Sequence, residues 1–425
     1  MLISHRGLKS GKYILPVSEN QKAQSSERNN MIKYLFFTFL KIGCVSFGGH
    51  MALIAVVEKE MIEKDGSISR EELLNAISIA SLLPGPLAVN VVAYIGYHLK
   101  RKSGLAVSML GVLLPACILM YVLSWCYFNY IHVKGLSGIM VYTVAAVSAI
   151  ILSTGLNIFL KEVKGNNSKL VLCLLAVLLL SFIKGYFIIL FLMLTGGLCG
   201  VVFKMGNQNA TQADAGFKWK KLSFSARAGL SALGLLYLSF ISGIYKYTDQ
   251  ILLKIIAVFS GISLSLFGGG YVMIPIMQSL FVTELKWLSN QEFIDSIAFS
   301  QLTPGPILVS AFFTGYKLAG IAGALLATVA IFLPSAILMI IAAKVFKENV
   351  DSLLMKNALA GIKPVVVGMI LVSAIKLLLS VAYTPLSIGL FLTAFLLNFR
   401  FKFNPVYLIL ISLMVGIILH FTSNF

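Results

Sequence analysis

The chain has 425 residues, of which 58% are hydrophobic and only 12% charged, and 34 Lys and Arg outweigh 16 Asp and Glu to give a formal charge of +18. That charged fraction is about half that of a soluble protein, and many apolar runs approach or exceed the roughly 20 residues of a bilayer crossing, so a soluble protein is excluded. A nucleic-acid binder is excluded too, because the basic residues are spread over the loops between apolar runs rather than gathered on a soluble domain.

Residues 1–33 are polar, carry Arg6, Lys9, Lys12, Lys22 and Arg28, and lack the apolar core of a signal peptide. They are expected to form a disordered cytoplasmic tail. Apolar segments follow at 34–57, 74–98, 104–129, 136–160, 169–183, 186–203, 228–245, 251–282, 293–316, 318–343, 355–380, 383–398 and 405–422. Six lie in a first half, 34–203, and six in a second, 251–425. The seventh stands alone in the linker 204–250.

The halves repeat each other. Phe47-Gly48-Gly49 recurs as Phe267-Gly268-Gly269, and Pro84-Gly85-Pro86 as Pro304-Gly305-Pro306, each 220 residues on. Ser69 with Glu72 and Ser289 with Glu292, also 220 apart, read as capping boxes that start a helix before each Pro-Gly-Pro. Gly96-Tyr97, Gly104 and Pro115 recur at an offset of 219 as Gly315-Tyr316, Gly323 and Pro334. Seven crossings between the two FGG motifs, an odd number, invert the second half. With the N-terminus inside, cytoplasmic loops, counted with Lys169 and Lys356 at the segment edges, hold 23 Lys and Arg, external loops seven, and the remaining segment positions four. The expected fold is an all-α polytopic membrane protein. Two homologous six-segment halves in inverted topology are joined by a linker helix, giving about thirteen transmembrane segments with the N-terminus cytoplasmic and the C-terminus external.

Proline removes a backbone donor and glycine admits conformations closed to other residues, so Pro-Gly-Pro and FGG should break their helices within the membrane. Freed backbone groups survive there only when buried or lining a cavity. Paired breaks in inverted halves mark the central site of a carrier, and half-helix N-termini supply amide donors and a positive dipole end for an anion. The candidate substrate-binding set is therefore Gly48, Gly49, Pro84, Gly85, Pro86, Gly268, Gly269, Pro304, Gly305 and Pro306. The polar neighbours Ser46, Asn90, Ser265, Gln301 and Thr303 join it, with Ser81, Ser300 and Ser310 close by. Lys41 and Lys363, charges set inside apolar segments, complete the set. Glu58, Glu60 and Glu63 read as a solvated face at the external edge. Asp295 and Glu72, near segment starts, read as structural.

Cys44, Cys117, Cys126, Cys173 and Cys199 all fall in apolar segments without a C-x-x-C pair, and His50, His98 and His132 have no metal-ligand spacing. No nucleophile elbow or P-loop is present, so neither an enzyme nor an ATP-driven pump is expected, and no cofactor is called for. The expected partners are a small inorganic oxyanion, a coupled ion and the lipid bilayer; a homodimer stays open.

"FLKIGCVSFGG", "SLLPGPLAVNVVAYIGY" and "GVLLP" in the first half carry a family resemblance, as do "FGGGYVMIPIM", "AFSQLTPGPI" and "GIKPVVVG" in the second. The chain resembles the chromate transporter family in its long, two-domain form. It departs from that pattern at His50, at Ile68 and in the run Lys100–Lys102. The resemblance implies efflux of chromate, a dianion shaped like sulfate, through a secondary carrier. The alternative is an anion channel, or a carrier for a different anion, on the same scaffold.

Overall fold

The computed structural model describes residues 17–47, 50–130, 136–183, 185–206, 224–243, 248–266, 270–346, 353–379 and 384–423. Among them the chain is helical throughout, with no strand. The helices are α1 (Val17–Val45), α2 (His50–Val57), α3 (Arg70–Leu82), α4 (Leu87–Tyr130), α5 (Leu136–Glu162), α6 (Asn167–Phe182), α7 (Tyr186–Val202) and α8 (Phe224–Ile241). They continue with α9 (Ile251–Ser265), α10 (Met273–Met277), α11 (Asn290–Leu302), α12 (Ser310–Phe346), α13 (Leu353–Leu378), α14 (Pro385–Phe401) and α15 (Pro405–Ser423). Stretches of α4, α5, α12 and α13 are long and apolar enough to cross a membrane. With the shorter apolar helices, they describe a multi-pass membrane protein.

α1 begins at Val17, well inside the polar stretch expected to be disordered. Residues 17–33 contain neither Pro nor Gly, so the apolar helix that follows propagates backwards through them at little cost.

The two segments that hold FGG do not run straight. Lys41 and Glu60 are 19 residues apart and would be separated by about 28 Å along one helix. Their side chains instead meet at 2.6 Å, and Tyr34 donates to Asp65 at 2.9 Å. α1 and α2, the latter continued by a π-helical turn over Glu58–Lys64, are thus the two arms of a helical hairpin. Residues 48–49 between them lie outside the described residues. The second copy repeats the arrangement, with the Phe259 ring 5.2 Å from Phe281 and stacked on Trp287 across α9 and the π-helical turn Gln278–Glu284.

The Pro-Gly-Pro segments fold back as well. Both capping boxes form: Ser69 and Ser289 each accept from the amide three residues on, and Glu72 and Glu292 reach back to the cap. Glu72 then meets His98 at 2.9 Å and Glu292 meets Lys317 at 2.6 Å. Straight helices would hold those partners about 39 and 38 Å apart. Pro-Gly-Pro is the tip of each hairpin rather than a kink in a crossing. Gly85 and Gly305 sit at φ +116° and +112°, a region that only glycine enters readily.

α4 and α12 each reverse again, at Lys100–Arg101 and at Ala319–Gly320. Glycines let the two arms touch: a Cβ on Gly104 would lie 2.0 Å from the Gly96 carbonyl oxygen, and one on Gly323 would lie 2.3 Å from that of Gly315. Elsewhere Gly196 and Gly200 of α7 bring that helix onto Gly361 of α13 in the same way.

Candidate functional site

The hairpin tips meet. The Gly85 amide donates to the Leu266 carbonyl at 2.7 Å, and the Gly305 amide donates to the Ser46 carbonyl at 2.8 Å. Each Pro-Gly-Pro tip of one half therefore caps the broken end of the FGG arm in the other. Ser46 and Leu266 are themselves 220 residues apart, so the two contacts are equivalent positions exchanged. A broken helix leaves its last carbonyls without partners; here the opposite tip supplies one donor to each.

The long arms close the site from the side. A Cβ on Gly85 would fall 2.2 Å from that of Ser335, and one on Gly305 would fall 3.6 Å from that of Ala116. Ser335 and Ala116 each follow a helix proline, Pro334 and Pro115. Beyond the tips, α4 starts at Leu87, and a 3₁₀ turn over Ile307–Val309 leads into α12. The first turns of both arms, with their amide ends, therefore begin at the tips.

Asn90 and Ser310 occupy those first turns, 220 residues apart and fully buried. Asn90 Nδ2 reaches the Pro84 carbonyl at 3.4 Å, while Asn90 Oδ1 and Ser310 Oγ have no hydrogen-bond partner among the described residues. Buried polar groups normally find partners, so this pair offers hydrogen-bonding capacity that the fold does not use.

Not every candidate stands ready in the same way. Ser46, Ser265 and Thr303 donate to carbonyls of their own helices, at Ile42, Gly261 and Ser300, as do Ser81 and Ser300. Gln301 bonds the Tyr271 hydroxyl at 3.2 Å. Pro84, Pro86, Pro304 and Pro306 frame the tips. Gly48, Gly49, Gly268 and Gly269 lie outside the described residues. Lys41 pairs with Glu60, and Lys363 with Glu162 at 2.9 Å.

Glu60 is not on a solvated face. It is buried between Lys41 and Lys64, and their hydrogen bonds hold its carboxyl below the ordinary value. The sequence reading missed this because it set residues 41 and 60 at opposite ends of one straight crossing. It also missed Tyr271, which bonds Gln301, and Ser335, which packs against Gly85, because only the folded tips create those contacts, although Ser335 directly follows the repeated Pro334.

Two cavities flank α13. One of about 1010 Å³ is lined by Lys169, Lys204, Lys356 and Lys363 with Glu162, and reaches Ser81 and Leu82 beside the first Pro-Gly-Pro. The other, of about 380 Å³, lies at the opposite end of that helix, between Gln278, Thr283, Asn290 and Lys376. No group of three or more His, Cys, Asp or Glu able to hold a metal occurs among the described residues.

The family model described as chromate transporter matches residues 33–201 and 253–417, one region in each half. The chain belongs to the chromate transporter family. It is 28% identical over 407 residues to an uncharacterized transporter of Methanocaldococcus jannaschii, covering 94% of this chain and 98% of that one. It is 27% identical over 394 residues to a chromate transport protein of Pseudomonas aeruginosa, covering 90% and 91%. A chromate transport protein of Cupriavidus metallidurans is 27% identical over 318 residues, 75% of each chain. No solved structure matches the chain.

Proposed function

We propose that the protein is a secondary carrier that exports chromate, or a related oxyanion such as sulfate, across the cytoplasmic membrane by alternating access. The observation that carries this is the reciprocal pair of tip contacts, Gly85 to Leu266 and Gly305 to Ser46. Each tip is followed by a helix start whose first turn holds a buried, unsatisfied polar side chain, Asn90 in one half and Ser310 in the other, and these support the reading. Helix N-termini and neutral donors suit a dianion, because they stabilise its charge without locking it in an ion pair. The chromate transport proteins among the relatives agree with that choice of anion.

The halves are read as inverted repeats. Four of the thirteen apolar segments are hairpins that enter and leave on one face, which leaves nine crossings, still an odd number. The N-terminus is then cytoplasmic and the C-terminus external. Lys59, Lys64 and Arg70 move to the cytoplasmic side and Lys286 to the external side, so the loop count becomes 25 inside against five outside. Folding the motifs back sharpens the charge bias that straight crossings gave. The lysine-lined cavity then faces the cytoplasm, where it would concentrate anions, and the smaller one faces outward. Export of a dianion from a negative-inside cell gains about 2.3 kcal/mol per charge per 100 mV.

The test is radiolabelled chromate uptake into everted vesicles that carry the purified chain, with sulfate as competitor and imposed pH and voltage gradients. Saturable, gradient-dependent uptake is expected. Unsaturable flux would instead make the protein a channel on the same scaffold, and no flux from folded protein would reject the anion assignment.

A further inference from the structure

Asp295 stands apart from the other carboxylates. Among the described residues two acidic side chains are buried, Glu60 and Asp295. Glu60 has two lysines; Asp295, with no exposed surface at all, has no cationic partner among the described residues. It accepts from the Tyr127 hydroxyl at 2.7 Å and from Gln291 Nε2 at 2.9 Å.

The groups that act on it directly are two neutral donors, Tyr127 and Gln291, and the acidic Glu292. Tyr127 comes from α4. Glu292 lies beside it on α11 and is already paired with Lys317 of α12. Of the other elements packed against α11, α5 carries Tyr142 and, in its last turn, Lys161 and Glu162; α12 carries Lys344 besides Lys317; α15 carries Tyr407 and His420; and the π-helical turn carries Glu284. An ionised carboxylate in such a place is costly, and a neutral one is not. The Tyr127 hydroxyl and the Gln291 amide each donate to the carboxylate without cancelling its charge. An ionisable residue inside a membrane segment marks an ion pathway by default.

The position fits that use. Tyr127 belongs to the first half of the chain and Asp295 to the second, so their hydrogen bond joins the two repeats. Asp295 sits in the arm that ends at Pro304-Gly305-Pro306. Asn290, which lines the smaller cavity, is about 7.5 Å away along α11. A proton arriving by that cavity has a short path to the carboxyl.

We infer that Asp295 is a proton-binding site, and that one proton taken up and released there is coupled to each movement of the anion between the two faces. The inference rests on the carrier reading above and names its coupling ion. The chemistry is limited to one O–H bond formed on an Asp295 carboxylate oxygen and broken again. The proton comes from water on one face and leaves to water on the other. Tyr127 and Gln291 act as positioning residues.

The experiment uses the full chain in proteoliposomes, with chromate flux followed by radiolabel and internal pH by a trapped dye. In the wild type a pH gradient should drive chromate uphill, and chromate movement should shift internal pH. Asp295→Asn should keep chromate–chromate exchange within about twofold, lose at least tenfold of gradient-driven accumulation and flatten the pH profile. Tyr127→Phe removes a donor that favours the ionised carboxyl, so the midpoint of its pH profile should move to higher pH. Asp295→Asn with a wild-type pH profile and uphill transport would overturn the inference. If that variant does not reach the bilayer, an unchanged pH profile in Tyr127→Phe would overturn it equally. A wild type that exchanges no chromate would instead reject the carrier reading itself.

Discussion

Gly85 of one half donates its amide hydrogen to the Leu266 carbonyl of the other, 2.7 Å away, and a side chain at Gly85 would press on Ser335 of that opposite half, whereas one at its counterpart Gly305 would make ordinary contact with Ala116. The two glycines are not equally vulnerable. At Gly85 a methyl group would lie 2.2 Å from Ser335 Cβ and 2.6 Å from its Oγ, and the backbone is at φ +116°. At Gly305 the nearest atom is Ala116 Cβ at 3.6 Å, so only the φ of +112° opposes alanine. Gly305→Ala should therefore cost about 1–3 kcal/mol of backbone strain, and Gly85→Ala should cost more and abolish transport. Thermal unfolding in detergent together with chromate uptake checks the order; equal tolerance of both substitutions would contradict the tip geometry.

Fold-back also predicts sidedness. In a cysteine-free background, single cysteines at Ser67 and Ser103 should both react with a membrane-impermeant maleimide from the cytoplasmic face. Cysteines at Lys286 and Lys317 should both react from outside. Straight crossings would put Ser67 and Ser103 on opposite faces, so labelling from two sides would reject the hairpins.

The repeat was legible in the sequence because FGG, the capping boxes and Pro-Gly-Pro return in one order at one spacing. The tip glycines Gly85 and Gly305 followed from the same logic, while Gly48, Gly49, Gly268 and Gly269 lie outside the described residues. Fold-back was not legible, because apolar composition cannot distinguish a helix that crosses from two short arms that return. The pairs that decide it join residues read separately: Lys41 as a site residue with Glu60 on an expected solvated face, and the capping Glu292 with Lys317 in a loop. Asp295 was assigned a structural role for a related reason. Its distance from the helix start was visible, but its burial and the distant Tyr127 hydroxyl were not.

Arg101 carries strain that its counterpart avoids. It turns the chain between the arms of α4 at φ 54°, ψ −139°, where the second half uses Gly320 at φ 59°, ψ −148°. That region costs a side chain about 1–3 kcal/mol, offset in part by about 0.5–1 kcal/mol from the guanidinium over the Tyr97 ring. Arg101→Gly should raise stability by about 1 kcal/mol, read as a higher melting temperature of the purified protein. A lower one would mean that the Tyr97 contact outweighs the strain.

The first hairpin should weaken in acid. Lys41 and then Lys64 hydrogen-bond Glu60 and lower its carboxyl below its ordinary value, and the Ser69 amide, with His98, does the same for Glu72. A carboxyl lowered in the folded state contributes stability above its unfolded value of about 4.5, and that contribution is lost as pH falls through the folded value. The melting temperature should therefore fall as the medium is taken below about pH 4.5, and Glu60→Gln should show a shallower fall with a lower plateau at neutral pH. An identical pH dependence in the variant would mean that other groups carry the effect.

Asn90 separates binding from folding most cleanly. Its Oδ1 is buried without a partner among the described residues, and its Nδ2 makes only a long 3.4 Å bond to the Pro84 carbonyl, so it contributes little to the fold and the amide can turn to present Nδ2 to an anion instead. Asn90→Ala deletes that unsatisfied acceptor and should leave the melting temperature unchanged or slightly higher. In transport the same change removes a donor worth about 1–1.5 kcal/mol, which raises the apparent KM for chromate by about fivefold to tenfold. Asn90→Asp sets a carboxylate against a dianion in a water-poor place and should reduce transport further, with partial recovery at low pH as the carboxyl takes a proton. Measuring both variants at several pH values distinguishes the roles. A lowered melting temperature with an unchanged KM would make Asn90 a structural residue of the hairpin and move the anion site away from the tips.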